Sequence, residues 1–433
     1  MEIFLKTFEQ QVINSGRLRI KFFFHKDIPL SSPGFHKQFT VGFTKRTFKT
    51  KVKFDLSSFP PQYIHNNMKI EINKNTLLKA LSKADKITGK NVSLAVLQCV
   101  LLKTQGDKLE ISATNLELGI RVLVPAKIER TGEIAIASSL LVSYLTNLNQ
   151  EEDLVLEHSE QTLRIIGKKS ETQINTYSTV DFPSIPVIES NKKSVIEASD
   201  LIEGMKSVWY AASVSSIKPE LSSVYLYSDA GELTFVATDS FRLAERKPGA
   251  KSDEFESILI PQRNVSEIIR VFEGLESKLT ILFGQNQVSF ESNDEVYLVS
   301  RVVDGVFPDY RQIVPKESKT EVIVLKQDLI NSLKISNLFS DNFNQVKFHL
   351  DAENNIFEIT SKNTEKGESR TMVPSTIKGD SIDINFNQKY ITDCFNSIKS
   401  ESFTLNFNGV GRPVVIKGVN EGGFMYLIMP LNK

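Results

Sequence analysis

The chain is poor in the residues from which reactive centres are usually built. Its 433 residues include two cysteines, one tryptophan and five histidines. Cys99 and Cys394 lie almost 300 residues apart. That spacing excludes a disulfide framework and a compact thiolate metal site, and it fits a reducing, cytoplasmic setting. Cys99 sits in the apolar run SLAVLQCVLL and reads as a packed thiol. Beyond residue 67 the only histidines are His158 and His349, with no cysteine or carboxylate pattern around either. There is no P-loop, no GxGxxG after a strand and no HExxH. Asp239, in VATDSFRL, has no catalytic partner at motif spacing, so a turn or structural hydrogen-bonding role suits it. No enzyme class, metal or cofactor is indicated. Long apolar runs are missing too: none approaches the roughly 18–20 residues that span a bilayer. Polar and charged residues break every short apolar run near the start, unlike a signal peptide.

What is present is an ordinary globular composition, 40% hydrophobic and 24% charged, in a chain long enough for two to four domains. The zero net charge conceals an asymmetry. Residues 1–67 carry 11 Lys/Arg against 4 Asp/Glu, and residues 68–433 carry 41 against 48. The first segment also holds 11 of the 28 phenylalanines, together with His25, His36 and His65. Two readings of it are open: a basic targeting or nucleic-acid-binding arm, or an extension upstream of a start at Met68. Its FFF at 22–24 and FTVGFTKRTFKTKVKF suggest a strand pair without a partner core.

Residues 68–433 are organised by repetition. KIEINKNTLLKALSKA (69–84), SVIEASDLIEGMKSV (194–208) and TEVIVLKQDLINSLKI (320–335) each read as a short alternating strand, a polar N-cap and an amphipathic helix. EIAIASSLLVSYLTNL (133–148), SILIPQRNVSEIIRVF (257–272) and DINFNQKYITDCFNSI (383–398) form a second strand–helix trio. SATNLELGIRV (112–122) and VATDSFRLAER (236–246) match each other, with a degenerate third copy, ITSKNTEKGESR (359–370). DFPSI at 181–185 answers VFPDY at 306–310. Thr114 and Thr238 lie 124 residues apart, Phe182 and Phe307 lie 125 apart, and three copies of about 122 residues fill the region.

The expected fold class is therefore α+β, with antiparallel sheet on one side of each copy and two helices on the other. Turns fall at GDK (106–108), DAG (229–231) and DAENN (351–355). Pro186 with NKKS (191–194), and Pro315 with KESKT (316–320), mark the junctions, giving copies at 68–192, 193–315 and 316–433. Basic residues recur on the helices: Lys79, Lys83 and Lys86 at i, i+4, i+7, then Lys206 and Lys334, and Arg263, Arg270, Lys389 and Lys399 on the second set. Such a stripe is either a solvated face or a lining that attracts phosphates without reading bases.

VDGVFPDYRQIVPK (303–316), VATDSFRL (236–243) and the MKIEINKNTLLKAL that starts at Met68 resemble the bacterial DNA polymerase III β subunit family, the sliding clamps. The resemblance runs from about Met68 to Lys433. It implies three similar clamp domains per chain, with sheets outside and helices inside, and a head-to-tail homodimer closing into a ring around duplex DNA. The implied dimer contacts are Thr172 and Ile174 against Leu338 and Phe339, with Thr172 standing where an aromatic is common. The implied partner-peptide pocket is Leu221, Thr238, Ser240, Phe241, Arg242, Leu243, Pro308, Gln312, Ile313, Pro413, Met429, Pro430 and Leu431. Leu, Ile, Pro and Met there make a soft apolar cavity, and Arg242 is expected at its rim. Relatives often have Gly-His in place of Ser240 and Phe241, and Arg in place of Asn432. The implied partners are DNA polymerase III and other polymerases, the clamp loader, and duplex DNA without sequence preference. A repeat-built interaction scaffold that does not encircle DNA is the alternative.

Overall fold

The structure is a computed structural model. It describes residues 67–431 apart from 90–93, 149–152, 252–254 and 294, together with two short strands further upstream. The chain divides into two units, 1–65 and 66–433. In the first, Ile20–Phe22 pairs antiparallel with Val41–Phe43, the strand pair suggested by that segment's pattern. The choice between arm and upstream extension otherwise falls outside the described residues, as does Asn432.

In the second unit the strand–helix pattern appears six times. Helices α1 (Lys74–Asp85), α2 (Ser138–Asn147), α3 (Ala198–Val208), α4 (Gln262–Phe272), α5 (Lys326–Leu338) and α6 (Gln388–Asp393) each directly follow a strand. Asn73 caps α1, its side chain accepting the amides of Asn75 and Thr76. The expected polar cap is not used at α3 or α5, where Glu197 and Leu325 make no side-chain cap bond. Asp200 and Asp328 stand in those first turns, where a negative charge favours the exposed helix amides. The turns fall where expected, with left-handed backbone at Gly106, Ala230, Gly231 and Asn355.

Sequence periodicity gave no sign that the sheets cross from one copy to the next. Leu118–Pro125 of the first copy pairs antiparallel with Val296–Arg301 of the second, inside one eight-stranded sheet. Arg242–Arg246 of the second pairs antiparallel with Phe424–Ile428 of the third, inside a nine-stranded sheet. Alternation along each strand then sends side chains to two faces. Phe235 and Ala237 join the large core under the helices, whereas Val236 and Leu243 join a second cluster with Tyr227, Leu259, Phe307, Tyr310, Val415 and Leu427. Gly204 lets α3 lie close on the sheet, since a Cβ there would come within 2.2 Å of the Phe235 ring. Both cysteines are buried, and burial pushes the Cys99 thiol up to about 11 and Cys394 upward as well, so neither is poised as a thiolate.

Candidate nucleic-acid interface and partner groove

Eight of the nine basic residues line three clefts between helices. Lys79, Lys83, Lys86 and Arg270 border the cleft between α1 and α4. Arg270 continues into a cleft of about 1080 Å³ that also takes in Lys206, Lys389 and Lys399. Lys389 is shared with a third cleft, against Lys334 on α5. Shared residues thus join the three into one basic track. Arg263 is exposed on α4 but borders none of these clefts. Lys399 is not helical: α6 ends at Asp393, a 3-10 turn spans Phe395–Ser397, and Lys399 follows it. Lys86 is likewise the residue after α1 and not a member of it.

The track is not a bare positive surface. Lys206 pairs with Glu273, Lys399 lies 2.8 Å from Glu203, and Arg270 lies 2.8 Å from Glu267. Lys86 donates to the Arg270 carbonyl at 2.7 Å. The bond from Lys206 holds the Glu273 carboxyl below its ordinary range. Glu273 and Glu203 are distant in sequence from their lysines, whereas Glu267 lies one helical turn from Arg270.

At the junction of the second and third copies, a tight turn positions the residues of VATDSFRL. Thr238 Oγ1 donates to the Arg242 carbonyl at 2.6 Å, and the Ser240 amide donates back to Thr238 Oγ1 at 3.2 Å. Asp239 Oδ1 accepts the amides of Phe241 and Arg242 at 2.9 and 3.0 Å, which is the turn role expected of it. The first copy repeats this turn, with Thr114 on Leu118 and Asn115 on the amides of Glu117 and Leu118. Ser240 adopts φ +78°, as Leu116 adopts +75°. The turn leaves Phe241 exposed, stacked on Tyr390 at 6.5 Å, and its carbonyl accepts the Met429 amide at 2.8 Å. The terminal segment continues alongside, with the Leu431 amide on the Asn385 carbonyl at 2.8 Å. Met429, Pro430, Leu431 and Pro413 are half-buried, and Pro413 precedes Val414, which pairs with Ile428. Pro308, Gln312 and Ile313 are exposed on the linker between the copies, and Leu221 and Thr238 are buried beneath.

Two pocket residues differ from expectation. Arg242 is not a rim group. It is only 8% exposed, and its guanidinium is consumed by Asp239 at 3.1 Å, by Asp393, by the Tyr210 carbonyl at 2.7 Å and by the Tyr390 ring 4.6 Å away. Three of its five N–H donors are thus taken up within the protein, so Arg242 fastens the turn to α6 rather than standing free at a rim. Leu243 is wholly buried in the second cluster and so presents no surface of its own. Tyr390, not singled out from sequence, is the residue that joins Phe241 to Arg242. Of the four interface candidates, Ile174 is buried, Thr172 and Phe339 are half-buried, and Leu338 is 65% exposed.

Tandem α+β copies fused edge to edge, with a cation-lined helical face, define a clamp-type protein. Sequence profiles for the N-terminal, central and C-terminal domains of the DNA polymerase III beta subunit match residues 68–186, 195–309 and 311–432. The chain belongs to the DNA polymerase III β subunit family. It is 28% identical over 373 residues to the beta sliding clamp of Synechococcus elongatus, covering 84% of this chain and 99% of the relative. The DNA polymerase III beta subunit of Thermotoga maritima superposes with a TM-score of 0.80 at 27% identity, covering 84% of this chain and 100% of the other. The Bacillus subtilis DNA polymerase sliding clamp shares the fold at a TM-score of 0.79 and 24% identity, covering 85% and 100%.

Proposed function

We propose that this chain is the subunit of a DNA sliding clamp: it encircles duplex DNA and tethers the replicative polymerase. The observation that carries the reading is the continuous basic track across α1, α4, α6 and α5, built on copies whose sheets run into one another. Such a lining attracts phosphates diffusely and reads no bases, as free sliding requires. The protein acts by holding, in the bacterial cytoplasm, and not by catalysis. Among the described residues no helix is long and apolar enough to cross a membrane.

Ring closure by two copies follows from the repeat. Val296–Arg301 and Phe424–Ile428 occupy corresponding places in the second and third copies, and each pairs with the preceding copy. The corresponding strand of the first copy is Glu171–Asn175, which ends its sheet. The strand corresponding to Leu118–Pro125 and Arg242–Arg246 is Gly367–Met372, which ends the third copy's sheet. Carrying over the pairings Leu298–Ile120 and Tyr426–Ala244 sets Thr172 opposite Ser369 of a second chain, and Glu171 opposite Arg370. Two such contacts close a head-to-tail dimer, with Leu338 and Phe339 flanking each. A clamp loader then opens one contact to admit DNA, and polymerases dock their motifs in the groove.

The test is a ring that cannot open. In the double variant Thr172→Cys, Ser369→Cys, oxidation should link both contacts, leave the dimer intact and abolish loading onto circular DNA, with reduction restoring it. Loading by the oxidised, fully linked dimer would contradict encirclement.

A further inference from the structure

We propose that the polar chain Asp229–Arg311–Tyr227–Tyr310–Glu245 is a positioning device that sets one wall of the partner groove, the turn carrying Gln312 and Ile313. The inference rests on the reading of the groove as a site for short apolar peptides.

The linker between the second and third copies forms no strand between Val302 and Lys319. Backbone bonds fasten its two ends, from Val303 to the Leu259 carbonyl and from Lys319 to the Phe407 carbonyl, and side chains hold the middle. Phe307 stacks on Tyr225 at 4.8 Å with the rings 6° from parallel, and Tyr225 stacks on Tyr227 at 4.9 Å. Next comes the 3-10 turn Tyr310–Ile313, in which Tyr310 is buried while Gln312 and Ile313 stand in solvent. Tyr310 is therefore the root of the turn.

Its hydroxyl donates to Glu245 Oε2 and lies 2.7 Å from the hydroxyl of Tyr227. Arg311 Nη2 donates to Tyr227 at 3.1 Å and to Asp229 Oδ2 at 2.6 Å, with the guanidinium over the Tyr227 ring at 5.8 Å. A phenol carries one proton. Since Tyr310 gives its own to Glu245, Tyr227 must give its own to Tyr310 and accept from Arg311. The direction of the chain is thus fixed from guanidinium to carboxylate, and each member depends on the next. Burial, and then the bond to Glu245, hold the Tyr310 phenol well above its ordinary range. The Gln312 amide is turned back onto Asp309 Oδ2 at 2.7 Å, so the turn presents Ile313 as its apolar contact.

The other junction supports a dedicated role for this strand position. Arg121 lies 124 residues before Glu245, at the corresponding place in the first copy. There it donates to the carbonyl of Ile185 at 2.7 Å, and Ile185 lies 125 residues before Tyr310. The chemistry differs, carbonyl capture by a guanidinium in one copy and a phenol–carboxylate chain in the other. Both copies use the same strand residue to hold the same linker residue. In the first linker Ile185 packs over Gly119, and in the second its counterpart Tyr310 is buried, so the root of each linker is held against the sheet.

The test uses the full-length dimer and a synthetic peptide bearing Gln and an adjacent Leu-Phe pair. Tyr310→Phe keeps the ring and removes the hydroxyl. It should weaken the peptide roughly fivefold or more, the scale of one lost hydrogen bond, and should speed amide exchange at residues 311–314. In an Ile313→Ala background the same change should have no further effect on affinity, because Tyr310 acts through Ile313. Asp229→Asn, at the exposed end, should act in the same direction more weakly. Wild-type affinity with unchanged exchange in Tyr310→Phe, or losses that simply add in the double variant, would overturn the proposal. If the unaltered protein binds no peptide, the groove reading fails, and exchange at 311–314 alone decides whether the chain holds the turn.

Discussion

Among the carboxylates paired along the basic track, Glu273 offers the simplest test of the proposed DNA contact. Glu273 neutralises Lys206, which otherwise stands exposed in the cleft of about 1080 Å³. Glu273→Gln should free that lysine for phosphate. The expected result is tighter binding to linear duplex at low salt and a log–log salt slope steeper by up to about one unit. An unchanged slope would place Lys206 away from the DNA. The opposite manipulation, Lys79, Lys83 and Lys86 together to Glu, should weaken DNA contact and slow loading. The fold should remain intact, because surface substitutions usually move stability by no more than about 0.5 kcal/mol each. Arg242 behaves differently. Replacing it with Ala strands Asp239 and Asp393 without their cation, which should cost about 3–5 kcal/mol in urea unfolding. The sequence marked Arg242 as special but not in what way. One of its two carboxylate partners, Asp393, stands 151 residues along the chain on α6, and no local pattern reveals such a pair. The lysines were legible because helical spacing is local; their carboxylates were not, because Lys206 and Glu273 meet only in the folded protein.

At the scale of elements, the strand–helix units, their turns and their threefold recurrence could be read directly, since periodicity and Gly/Asn/Asp punctuation are short-range signals. The merging of sheets across copies could not. Leu118–Pro125 carries the same alternation whether its neighbour belongs to its own copy or to the next. Edge strands gain meaning only when their partners are known, and an edge left unpaired invites another chain. Glu171–Asn175 is the instructive case. Thr172 occupies the place held by Leu298 and Tyr426 at the two internal junctions, and both of those are fully buried or nearly so. Thr172→Leu should therefore tighten the dimer. The added apolar burial is worth about 1 kcal/mol, or roughly fivefold in the dissociation constant, measurable by analytical ultracentrifugation. Weaker association would mean that Thr172 does not face an apolar contact across the interface.

For the molecule as a whole, the proposed function gives two surfaces separate tasks, the basic track for DNA and the second-to-third junction for partners. Met429→Ala should separate them. Met429 is half-buried at the groove, its backbone held by the Phe241 carbonyl. Loss of its side chain should weaken a peptide partner by ~2 kcal/mol, as anchor residues do, while dimerisation and DNA retention stay unchanged. Leu243→Ala is the poorer probe, because removing a wholly buried leucine costs about 2–5 kcal/mol of stability by itself. The central claim is encirclement, and topology tests it most directly. Protein loaded onto a nicked circular duplex and washed in high salt is followed by filtration before and after the circle is cut once by a restriction enzyme. The account predicts retention on the circle in salt that abolishes binding to linear duplex, and prompt release after the cut as the ring slides off the ends. Equal retention on cut and uncut DNA, or loss from the intact circle in salt, would contradict it.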